Sequence, residues 1–140
     1  MAVKFITIAI IASVPFYQAM SFEKLLDAIA QVESGRDHYA FNKYENAHGI
    51  YQMTQGVIDD VNNFVLKKRV YTIDDAYVPE NAHAIAIAYM QYWGRKYKKR
   101  TRRNPTPEVY ARIWNGGPRG YEKENTLAYW ERVKNLMEAE

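Results

Sequence analysis

Apolar positions recur at helical intervals along most of this chain. Phe22, Leu25, Leu26, Ile29 and Ala30 step by three and four until Ser34-Gly35 breaks the pattern, predicting a helix with Ser21 as its N-cap. The stretch from Arg36 to Gly49 is polar and aromatic, and predicts a loop with at most short ordered pieces. A second helix is expected within Gln55 to Lys68. Pro79 suits the first turn of a long helix to about Tyr97, with Ala82, Ile85, Ala86, Tyr89, Met90 and Trp93 on its apolar face. Thr106-Pro107 reads as an N-cap and first-turn proline of a helix through Ile113, stopped by Asn115-Gly116-Gly117-Pro118. A last helix is expected from Asn125 or Thr126 towards Met137. No run alternates clearly between apolar and polar, so the pattern predicts a mainly α fold.

With 140 residues, 48% of them hydrophobic, the chain suits one domain with a real core, expected over residues 21–140. The absence of cysteine excludes a disulfide framework, thiolate metal sites and a thiol nucleophile. A formal charge of +3 favours an anionic partner without naming one. Residues 1–20 look like a secretory signal peptide: Lys4 precedes an apolar run from Phe5 to Val14, Pro15 breaks it, and Gln18, Ala19 and Ser21 follow. That run is far short of the ~20 residues that span a bilayer as a helix. Tyr17 is bulky where a small residue is preferred before cleavage at Ala19, so the alternative is a retained segment packed on the domain. The expected location is outside the cytoplasm: periplasmic, wall-associated or on a virion.

Glu33 lies on the apolar stripe of the first helix, reached by helical steps from Phe22, Leu25, Leu26 and Ile29. A carboxyl held against apolar side chains retains its proton nearer neutral pH, as a general acid for glycosidic cleavage requires. The plainer reading is a helix-end glutamate turned into water. Gly49-Ile50-Tyr51-Gln52-Met53 gathers a glycine that permits close approach, an amide suited to sugar hydroxyl or acetamido groups, and a thioether. Ile113-Trp114-Asn115-Gly116-Gly117-Pro118 places an aromatic face and an amide at a helix end. Taken singly, each is equally a turn entering or leaving a helix.

In this order and spacing the segments resemble the soluble lytic transglycosylase family, related to goose-type lysozyme, over roughly Phe22 to Val133. Val32-Glu33-Ser34-Gly35 is similar to its Glu-Ser signature, Gly49-Ile50-Tyr51-Gln52 to its Gly-Leu-Met-Gln stretch, and Ile113-Trp114-Asn115-Gly116-Gly117 to its Ala-Tyr-Asn-Ala-Gly stretch. The segment Thr126 to Val133 looks like the one whose tyrosine bonds the catalytic glutamate. The resemblance implies a mainly α, lysozyme-like domain with a helical core and a substrate cleft. It implies Glu33 as catalytic acid and base, with Ser34, Tyr51, Gln52, Met53, Trp114 and Asn115 as substrate contacts, and Tyr129 positioning Glu33. Trp114, Tyr51 and Gly116 depart from the family's tyrosine, methionine and alanine, so subsite contacts are expected to differ.

The implied reaction cuts peptidoglycan glycan strands between N-acetylmuramic acid and N-acetylglucosamine, closing a 1,6-anhydro ring without a second carboxylate or a cofactor. A hydrolytic muramidase would need another carboxylate, and Asp37, Glu45, Asp59 and Asp60 are available with no spacing that singles one out. A binding module that keeps the fold but does not cut is the third alternative. No metal is expected, because His38, His48 and His83 lack ligand spacing. From Arg95 to Arg103, seven of nine residues are basic: a solvated helix end, or a contact with an anionic wall or membrane surface. Nucleic acid is not the expected partner of an exported chain. A secretion, conjugation or phage assembly would fit a wall-cutting domain of this size.

Overall fold

The computed structural model describes residues 2–4 and 16–139, with the side chains of 16–20 left aside. The apolar run 5–14, read as a leader, lies outside the described residues. The described residues form five α-helices and a two-stranded hairpin: α1 (Phe16–Ser34), β1 (Phe41–Asn42), β2 (Ala47–His48), α2 (Gln55–Asp60), α3 (Pro79–Thr101), α4 (Pro107–Gly116) and α5 (Leu127–Ala139). The first helix begins before Ser21, which therefore sits inside α1 and not at its cap. The fold is mainly α, as the periodicity predicts. The chain divides into two compact units, one of residues 1–10 and 33–92, the other of residues 11–32 and 93–140.

In the first unit β1 and β2 pair antiparallel, Phe41 with His48 and Asn42 with Ala47, and a bridge from His48 to Met53 extends the pairing. A π-helical segment, Val61–Leu66, continues α2 and ends at Lys67, whose left-handed φ of 54° closes it. Buried Asn62 organises the following turn: its Nδ2 donates to the Tyr71 carbonyl at 2.8 Å, and its Oδ1 accepts from the N–H groups of Val70 and Tyr71 at 3.0 Å. A 3₁₀ turn, Ile73–Tyr77, follows, with Thr72 and Asp75 exchanging side-chain and backbone bonds as a capping box. Asp75, buried, also accepts from Asn81 Nδ2 at 2.9 Å and pairs with Lys4 Nζ at 2.7 Å. Buried carboxylates persist where they are satisfied in this way.

The second unit packs aromatic rings around small residues. Phe22 meets the edge of Tyr110 at 5.1 Å, and a β-carbon on Gly94 would stand 2.6 Å from the Tyr110 ring, so the glycine is what lets that ring lie against α3. Thr106 caps α4 by accepting from Val109 N–H at 3.3 Å, with Pro107 in the first turn. Val109, Ala111, Ile113 and Trp114 of α4, and Tyr129 and Val133 of α5, are buried.

Candidate functional site

Glu33 occupies the last turn of α1 and is half-buried. Its neighbour Ser34 fixes that helix end. The Ser34 hydroxyl donates to the Ile50 carbonyl at 2.7 Å and accepts from the Asp37 N–H at 3.0 Å. One short side chain thus ties the Glu-Ser turn to the Gly49–Met53 loop, and the two motifs meet in the first unit. The helix ends through Gly35 and Arg36, both with φ of 64°, the left-handed backbone that follows many helices.

Gly49 anchors the loop, with φ of 74°. A β-carbon there would lie 1.9 Å from the Ala76 carbonyl oxygen, so the loop seats against the 3₁₀ turn only because the position is glycine. Tyr77 of that turn reinforces the contact, its hydroxyl 2.7 Å from His48 Nδ1. Gln52 also has a positive φ, 52°, and its Nε2 donates to the carbonyls of Gly49 at 2.9 Å and Ala40 at 3.3 Å. Its Oε1 accepts no hydrogen bond among the described residues. Tyr51 is buried with its hydroxyl 3.3 Å from His83 Nδ1, and Met53 is only 1% exposed. The expectation that Met53 offers its thioether to a ligand gives way to a core position, sealed by its two backbone bonds with His48, each 2.8 Å.

The hairpin carries side chains that sequence reasoning left unassigned. Tyr39, Phe41 and Tyr44 are exposed, Tyr44 at 88%. Phe41 leans on the His48 ring at 4.9 Å, and Lys43 Nζ lies 5.0 Å from the Tyr44 ring centroid. The available signal was three aromatics within a polar loop, where burial has no periodicity to enforce it. The nearby carboxylates have local duties: Asp37 Oδ1 accepts from Tyr39 N–H at 2.8 Å, and Asp59 Oδ1 from Gln55 Nε2 at 2.9 Å. Glu45, exposed on the hairpin turn, has a long 3.4 Å contact with Asn42 Nδ2.

The remaining predicted residues lie in the second unit. Asn115 is exposed on the last turn of α4, its amide without a hydrogen bond among the described residues. Trp114 is 8% exposed, so its ring belongs to the core of α4's inner face and offers little area for sugar stacking. Tyr129 is buried at 3%, with the Arg132 guanidinium 5.8 Å from its ring centroid. Gly116, the departure from alanine, has a local cause: a β-carbon there would lie 2.6 Å from the Thr126 methyl. Thr126 cannot readily yield. Its hydroxyl accepts from Arg112 Nε at 2.9 Å and lies 2.8 Å from the carbonyls of both Gly120 and Lys123. Among the described residues no three His, Asp or Glu side chains gather as a metal site would require.

The family model described as the transglycosylase SLT domain matches residues 16–136. Lysozyme 1 of Crassostrea virginica is 37% identical over 73 residues, covering 48% of this chain and 40% of that protein. The lysozyme of Ostrea edulis is 38% identical over 50 residues, covering 36% of each chain. The chain therefore spans well under half the length of these curated relatives. A chain of the crystal structure of Aeromonas hydrophila PliI in complex with Meretrix lusoria lysozyme shares the fold, with a TM-score of 0.63 at 23% identity over 81% of this chain and 88% of that one.

Proposed function

For a chain that belongs to the transglycosylase SLT domain family, we propose that the function is cleavage of the β-1,4 bond between N-acetylmuramic acid and N-acetylglucosamine in peptidoglycan, with a 1,6-anhydro product. The observation that carries this reading is the Ser34 hydroxyl bond to the Ile50 carbonyl, which joins the helix end bearing Glu33 to the Gly49–Met53 loop. Glu33, protonated, gives its proton to the glycosidic oxygen as the bond to C1 breaks, and positive charge develops on the sugar ring. The resulting carboxylate removes the proton of the muramoyl 6-hydroxyl, whose oxygen closes onto C1. Glu33 ends as it began, and no water is consumed.

The surrounding residues suit a sugar. Gln52 has its Nε2 committed to backbone carbonyls, which leaves Oε1 to accept from an acetamido N–H. Tyr39, Phe41 and Tyr44 supply exposed rings for the apolar faces of successive sugars. Asn115 and Tyr129 keep the roles that the family pattern suggests, a sugar contact and a positioning residue. Because the substrate lies outside the cytoplasmic membrane, export through residues 1–20 belongs to the same reading.

Hydrolysis is the second reading, favoured by the lysozyme names of the relatives. It requires an activated water, and Glu45, exposed on the hairpin turn with a long 3.4 Å contact to Asn42, is the first of the four carboxylates to substitute. The test incubates the chain and its Glu33→Gln variant with purified sacculi. Solubilisation should fall by about a hundredfold or more in the variant while sacculus binding persists. Equal solubilisation by both would remove Glu33 from the chemistry, and no solubilisation by either would favour a binding module.

A further inference from the structure

The basic run from Arg95 to Arg103 has no role in the cleavage reading above, and four of its cations, Arg95, Lys98, Lys99 and Arg102, differ from Arg100, Arg112 and Arg119 of the same unit. Arg112 pairs with Glu108 at 2.8 Å, Arg119 with Glu122 at 2.6 Å, and Arg100 reaches the Tyr121 hydroxyl and stands 3.9 Å from Glu122. Arg95, Lys98, Lys99 and Arg102 stand at i, i+3, i+4 and i+7, which places them along one face of α3 and its cap. All four are exposed, as is Arg103, and none has a carboxylate partner among the described residues. Arg102 closes the helix, its N–H on the Lys98 carbonyl at 2.9 Å and its φ at 64°.

The helix dipole explains only part of this arrangement. Its attraction for cations acts within the last turn, whereas Arg95 lies six residues before the end of α3. Like charges at i and i+4 repel, and the stripe contains two such pairs, Arg95 with Lys99 and Lys98 with Arg102. The stripe thus opposes the helix that bears it. No carboxylate among the described residues balances its charge.

We propose that this face docks a linear phosphate-bearing polymer of the bacterial cell wall. The stripe spans about 10 Å of helix, enough to meet several successive charges of an extended strand. Arg95, Arg102 and Arg103 contribute planar guanidinium forks, which grip phosphate oxygens in pairs. The choice of a wall polymer rests on the glycan-cleaving reading; the geometry alone requires a polyanion.

The test compares the full chain carrying Glu33→Gln with the same chain in which Arg95, Lys98, Lys99 and Arg102 are also replaced by Gln. Both are titrated onto purified walls that retain phosphodiester-linked polymers, and onto the same walls stripped with hydrofluoric acid. The intact stripe should bind the polymer-bearing walls more tightly, and weaken on the order of tens-fold from about 50 to about 200 mM NaCl as counterions cease to be released. The neutralised stripe should lose both the preference and the salt dependence, and should melt no lower than its parent. Equal binding to both walls, equal binding by both chains, tighter binding to DNA or anionic vesicles, or a melting point several degrees lower on neutralisation would each overturn the proposal. Chains with Glu33 intact, tested on stripped walls, separate the two questions: both stripes should cut equally, and failure of both to cut would count against glycan cleavage and not against the polymer contact.

Discussion

Replacing Gly49 by alanine attacks the contact on which the Gly49–Met53 loop is seated. The new β-carbon meets the Ala76 carbonyl oxygen at 1.9 Å, more than an ångström inside normal contact, and no rotamer change can move either a β-carbon or a backbone carbonyl. The left-handed φ of 74° adds about 1–2 kcal/mol for a residue with a β-carbon. Displacing the loop or the 3₁₀ turn adds about 1–3 kcal/mol, typical of overpacking. The sum, about 2–5 kcal/mol, corresponds in a 140-residue chain to a fall in Tm of about 6–20 °C. Gly56→Ala is the control, since its β-carbon would meet only Thr54 Oγ1 at 3.7 Å, within α2, where alanine is the better helix former. Thermal melts followed by circular dichroism decide the matter. A Gly49→Ala protein melting within about 3 °C of wild type would refute the argument that this loop is wedged against the Ala76 carbonyl.

Three further outcomes follow from the same geometry. Gly116→Ala should destabilise by about 1–3 kcal/mol, and adding Thr126→Ser, which removes the obstructing methyl but keeps the hydroxyl, should recover most of the loss in denaturant melts. Additive effects in the double variant would contradict this. Ser34→Ala leaves the Ile50 carbonyl and the Asp37 N–H without their partner; it should cost about 1–3 kcal/mol and slow glycan cleavage, with Ser34→Thr retaining both, and an unaltered alanine variant would deny the tether any role. Burial, and then the negative Asp60, push the Tyr89 hydroxyl well above the usual tyrosine range. The folded chain therefore holds a proton that the unfolded chain releases above about pH 10, so this contribution to stability is complete below that pH and is lost as pH rises. Melts from about pH 9 to about pH 11.5 should fall more steeply in wild type than in Tyr89→Phe, and parallel curves would count against the assignment.

The helices were legible because apolar spacing is a local property, and Thr106-Pro107 and Pro79 carry their own start signals. Ser21 misled because a serine before an apolar run looks like a cap, whereas α1 draws its earlier turn from Phe16 to Met20, residues that also suit a leader. The 3₁₀ turn at Ile73–Tyr77 had a readable Thr72-to-Asp75 capping box, yet no apolar repeat followed to announce a helix. At the candidate site, Glu33 and Ser34 were named from their motif, and Gly49 was recognised as a point of close approach. What Gly49 approaches is a carbonyl 27 residues later, which no local pattern encodes. The burial of Met53 and Trp114 was equally hidden, since a thioether or an indole beside a turn suits a core as well as a ligand.

The central claim, that Glu33 cleaves the glycan without water, is tested most directly by digesting purified peptidoglycan in heavy-oxygen water and weighing the released muropeptides. The account predicts 1,6-anhydro muramoyl products with no heavy oxygen, formed by the wild type and absent with Glu33→Gln. Reducing-end products carrying the heavy oxygen would contradict it and assign the chain to hydrolysis.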